Sequence, residues 1–114
     1  MGKNTLITGI GFSKEKDSYA AAKKAAQSAI KQLKGKAPKL TMIFYAGMDY
    51  DPKKINKALK EVFKGTEFIG GSTDAVVYDG DLYAEGIVVA SIYSDFMQFG
   101  VASMDNVSKN PKAL

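Results

Sequence analysis

The chain has 114 residues, with 16 Lys against 12 Asp and Glu for a formal charge of +4, and 46% of it is hydrophobic. This profile fits one globular domain and excludes collagen, coiled coil and a chain too polar to fold. There is no Cys, His, Trp or Arg, which removes disulfides, zinc fingers, His-assisted nucleophiles, imidazole haem ligands and bidentate guanidinium contacts to phosphate or guanine.

The first 64 residues carry 14 Lys and 5 acids, the rest 2 Lys and 7 acids. Chain order explains most of this asymmetry. Asn4 to Gly11 is aliphatic, β-branched and closed by glycines, so a buried strand running into a tight turn is expected. Asp17 is a fair N-cap for a helix from Ser18 to Leu33, with Ala22, Ala26, Ala29, Ile30 and Leu33 on one stripe and Gly35 as its stop. Pro38 precedes a second strand, Leu40 to Ala46, apolar enough to suggest burial on both faces.

Asp51-Pro52 starts a second helix, a capping carboxylate followed by proline at the first helical position. Ile55, Leu59, Val62 and Phe63 form its inner stripe, while Lys53, Lys57, Lys60 and Lys64 face outward before Gly65. The lysine excess is thus read as solvated helix surface rather than as a nucleic-acid footprint. Thr66 to Ile69 makes a short third strand ending in Gly70-Gly71-Ser72-Thr73-Asp74. Ala75 to Tyr78 and the run from Leu82 form a hairpin about Asp79-Gly80, because Asp-Gly readily takes the positive φ of a tight turn. Gly86 to Tyr93 is a strong strand and Phe96 to Ser103 another.

The expected fold is α/β: a mixed sheet in the order β-α-β-α-β followed by an antiparallel meander, with the helices packed on the sheet. One α/β domain over residues 1–114 is expected. Asn110-Pro111 resembles a further helix start, so 107–114 reads as the start of an interrupted element and the chain as a fragment of a longer domain. The longest apolar stretch falls well short of the roughly 20 residues of a membrane span. A cytoplasmic protein without membrane contact is expected.

Three loops follow the three parallel-type strands, around Ser13, around Asp49 and at Gly70-Gly71-Ser72-Thr73. If those strands run the same way, all three loops share the carboxyl end of the sheet, where open α/β sheets bind ligands. Gly9-Ile10-Gly11 lacks the third glycine of a dinucleotide fingerprint, since Lys14 stands there, and no Walker pattern occurs. Asp49 and Asp51 lack the further oxygens of a calcium loop. Neither a metal nor a cofactor is expected. Ser72 and Thr73 have only Lys or carboxylates for a base, so catalysis is disfavoured.

Taken together, Gly9-Ile10-Gly11-Phe12-Ser13 with its Ala-rich helix, the strand Leu40-Thr41-Met42-Ile43-Phe44-Tyr45, the Tyr50-Asp51 helix start, and Phe68-Ile69-Gly70-Gly71-Ser72-Thr73 with the later Gly86 and Val88-Val89-Ala90 resemble the N-terminal part of the FIST sensory domain. The likeness spans about residues 8 to 103. It implies a ligand-sensing input module of intracellular signal transduction that takes small molecules such as amino acids and passes the signal to a downstream protein or domain. Gly71 stands where relatives often carry Cys, which removes any thiol role, and the absence of His and Cys argues against haem.

The leading expectation is therefore a non-enzymatic sensor in which Gly70, Gly71, Ser72, Thr73, Ser13 and Asp49 line a site for a small polar metabolite. Glycine amides and hydroxyls would hold a polar or anionic group, and Asp49 an ammonium. The alternative is an assembly module that pairs through an exposed sheet edge, including with a second copy of itself.

Overall fold

A computed structural model describes residues 5–101. Its elements are β1 (Leu6–Ser13), α1 (Ser18–Lys31), β2 (Leu40–Ala46), α2 (Pro52–Val62), β3 (Phe68–Ser72), β4 (Val76–Tyr78), β5 (Asp81–Tyr83) and β6 (Gly86–Ser94). The fold is α/β, with a four-stranded mixed sheet in the order β1-β6-β2-β3 and a separate two-stranded ribbon of β4 and β5. Both helices pack on one face of the sheet, and their buried side chains share a core with Ile43, Ile87 and Val89.

The local signals act as expected. Asp17 caps α1 by accepting from the Ala20 amide at 2.8 Å, and Asp51 caps α2 by accepting from Lys53 at 2.9 Å. At the ribbon's turn Asp79 and Gly80 both take positive φ, 51° and 83°, the backbone of a type I′ hairpin.

The register holds two departures. Strand β6 does not extend a meander beyond the ribbon but inserts between β1 and β2, antiparallel to both. Its residues Ile87, Val89 and Ser91 are fully buried, and a strand this apolar gains most at the centre of a sheet. The segment 96–101 forms no strand. The rest of the expected Phe96–Ser103 strand, and the Asn110-Pro111 helix start, lie outside the described residues.

Nor does β1 end in a glycine turn. It continues through Ser13, and its glycines serve α1 instead. A Cβ at Gly9 would run into the Ala29 carbonyl oxygen, and one at Gly11 into that of Ala25. Ala21, Ala22, Ala25, Ala26 and Ala29 are all fully buried, so small residues on helix and strand let the two backbones approach closely.

The opposite face of the sheet carries Ile10, Phe44 and Ile69, 46%, 46% and 41% exposed. The expectation of burial on both faces of β2 therefore holds only on the helix side. The β4–β5 ribbon covers one end of this second face: the Phe12 ring stacks on Tyr78 with centroids 4.9 Å apart and meets Tyr83 at 4.5 Å.

Candidate functional site

Because β1 and β2 each run antiparallel to β6, and β3 runs parallel to β2, the three strands point the same way. Ser13 pairs with Ile87, Ala46 with Gly86, and Ser72 with Tyr45. The carboxyl ends of β1, β2 and β3 thus share one rim with the start of β6, and both helices begin there.

Side chains tie that rim together. The Asp51 amide, at the start of α2, donates to Ser18 Oγ at the start of α1 (2.8 Å), and the Tyr50 hydroxyl donates to the Glu15 carbonyl oxygen (2.9 Å). Burial raises the Tyr50 phenol above its ordinary value, and the nearby carboxylates of Glu85 and Glu15 raise it further. Two helix N-termini add partial positive charge to an edge otherwise rich in carboxylates.

A pocket of about 120 Å³ opens on the rim between Lys16, Gly47, Asp49, Tyr50 and Glu85. It adjoins a wider cleft formed by Gly47, Met48, Asp49, Thr73, Asp74, Ala84 and Glu85. At roughly 30 Å³ per water the pocket holds about four waters' worth of space, enough for the polar head of a small molecule. Its walls set one ammonium, on Lys16, against carboxylates on Asp49 and Glu85, with the Thr73 hydroxyl and Asp74 beyond. Among the described residues, no group of three or more acidic side chains is placed to hold a metal ion.

The residues singled out from the sequence divide here. Asp49 and Thr73 line the same cleft. Gly70, Gly71 and Ser72 belong to β3 itself rather than to the loop after it, and Gly70 and Gly71 border a separate groove between β3 and α2. Gly70 is needed for the fold: at φ +153° its Cβ would run into the Ile43 carbonyl oxygen. Ser13 lies at the rim but is buried, its Oγ accepting from the Glu15 amide at 3.3 Å.

Sequence reasoning missed Lys16, Tyr50 and Glu85. Tyr50 was legible only as part of the α2 start, and Glu85 only as the charged residue directly before the glycine that opens the strongest apolar strand. Its place opposite Asp49 depends on the insertion of β6 beside β2, which is a long-range pairing.

The FIST N domain family model matches residues 39–114, from just before β2 to the end of the chain. Strand β1 and helix α1 precede the match. No curated protein matches the chain.

Proposed function

Since the chain belongs to the FIST N domain family, whose members are sensor domains of signal transduction, we propose that it is a non-catalytic sensor for an amino acid or similar small polar metabolite. The observation that carries this reading is that Asp49 and Glu85 line both a rim pocket with Lys16 and the adjoining cleft with Thr73. Opposite charges across a small concavity suit a zwitterion: its ammonium faces Asp49 and Glu85, and its carboxylate faces Lys16 and the Thr73 hydroxyl.

Non-catalytic action fits the residues available. The pocket has no imidazole or thiol, and its hydroxyl has only lysine or carboxylates for company. Occupancy would bridge the starts of α1 and α2 through Lys16 and Asp49, altering a helix pair that a downstream signalling protein or domain can read. No helix among the described residues is long and apolar enough to cross a membrane, which is compatible with the intracellular role proposed.

Thermal-shift and calorimetric titration with the common amino acids, beside matched carboxylic acids lacking the amine and amines lacking the carboxylate, tests this reading. At least one amino acid is expected to raise the melting temperature where its two truncated analogues do not. Glu85→Gln with Asp49→Asn should abolish that shift while leaving the ligand-free melting temperature unchanged, and Thr73→Ala should weaken it. A shift given equally by the amine-free acids would overturn the reading.

A further inference from the structure

The two edges of the main sheet are treated differently. Along β1, the Gln32 side chain behaves like one residue of an added strand: its Oε1 accepts from the Ile10 amide at 3.1 Å and its Nε2 donates to the Ile10 carbonyl at 2.7 Å. That edge is blocked at its middle. Strand β3 forms the other edge. The Thr73 amide donates inward to the Tyr45 carbonyl, so by strand alternation the amides of Ser72, Gly70 and Phe68 face outward. No described side chain bonds to them.

Beside this edge runs a groove of about 460 Å³ between β3 and α2, floored by Ile43, Ile55, Leu59 and Phe68 with Asn56 on its wall. The exposed face of α2 brings lysines to its wall. Lys57 lies over the Tyr19 ring on the α1 side of the helix, where Glu61 also accepts from Tyr19. Lys53 and Lys60 stand three and four residues from Asn56 and so share the groove's side. Among the described residues the one ion pair joins Lys23 and Glu61, which leaves Lys53 and Lys60 without a carboxylate there.

We infer that the β3 edge is a strand-addition site for an extended segment of another protein, with an aliphatic side chain in the α2 groove and an acidic residue two positions to either side. The spacing supports this chemistry. Lys53 and Lys60 are seven residues apart, about 10 Å along a helix, and side chains four apart on one face of a strand span about 13 Å. Side-chain reach closes the difference. A second copy of this chain is a poor occupant, because pairing β3 with β3 brings two lysine-lined helices together. Main-chain hydrogen bonds would supply affinity, and the groove with its two lysines specificity.

The test uses the full chain and a labelled peptide with the core Glu-Val-Leu-Val-Glu, compared with the Lys-Val-Leu-Val-Lys version and with the acidic peptide N-methylated at the residues that face the edge. Fluorescence anisotropy is expected to show saturable binding of the acidic peptide, about tenfold weaker binding of the basic one, and none of the N-methylated one. Lys53→Glu with Lys60→Glu, both exposed positions, should reverse the preference. Hydrogen exchange should slow at Gly70 and Ser72 but not at Ile10. Equal binding of both peptides, no binding, protection at β1 instead, or a concentration-dependent dimer protecting Gly70 without peptide would each overturn the inference.

Discussion

Thr41 and Ser91 face each other across β2 and β6, both fully buried, with their hydroxyl oxygens 3.0 Å apart. Each hydroxyl is affordable in the core because the other satisfies it. Thr41→Val alone should cost about 1–3 kcal/mol by stranding the Ser91 hydroxyl, whereas Thr41→Val with Ser91→Ala should recover much of that loss. Denaturant unfolding of the two single variants and the double gives the coupling, and strictly additive losses would mean the pair is not coupled. Tyr50 offers a second test at this scale. Its phenol is raised by burial first and then by Glu85 and Glu15. In the unfolded chain the phenol loses its proton near the ordinary value of 10.0 while the folded chain keeps it. The unfolded state then holds fewer protons, so this contribution is intact below pH 10 and is lost as pH rises through the folded value. Stability between about pH 9 and 11 should therefore fall less steeply in Tyr50→Phe than in the parent, each compared with its own value near neutrality.

Among the elements, α1 and β1 show how two unremarkable composition signals combine. An alanine stripe permits close approach of a helix, and glycines permit close approach of a strand; together they set the distance between the layers. Gly11→Ala is expected to destabilise the fold by roughly 1–3 kcal/mol or more, because the added methyl meets the backbone of Ala25 rather than a side chain that could swing away. Thermal melting of this variant beside Gly71→Ala, whose Cβ would meet open space, separates packing from general glycine replacement. A Gly11→Ala protein as stable as Gly71→Ala would show that α1 shifts freely. The caps at Asp17 and Asp51, Pro52 at the start of α2, and the Asp79-Gly80 turn were legible beforehand, because each rests on contacts within three or four residues. The continuation of β1 through Ser13 was not legible: glycines that serve helix packing look, in sequence, like glycines that serve a turn.

At the scale of the whole molecule, one sheet face is filled by two helices and the other is covered only at the ribbon end. Ile10, Phe44 and Ile69 remain substantially exposed, as do Val77 and Leu82 on the ribbon. Phe44→Ser with Ile69→Thr should reduce binding of a hydrophobic dye such as ANS severalfold while changing stability by little, since neither side chain loses a fully buried environment. A large loss of stability would mean that these side chains are covered in solution. Seven lysines stand on the two helices that fill the other face of the sheet.

The amino-acid sequence by itself determined the helices, their caps, the hairpin turn and the shared direction of the first three strands, because short-range sterics, capping and βαβ connectivity decide those features. It also excluded thiol and imidazole chemistry outright. Only the tertiary structure decided that β6 lies between β1 and β2, that Glu85 and Lys16 stand beside Asp49, that Gly70 and Gly71 border the α2 groove, and that Ser13 turns inward. These features depend on pairing between residues 27 to 88 positions apart, and such pairing is chosen by competition among all the strands for burial rather than by any local preference.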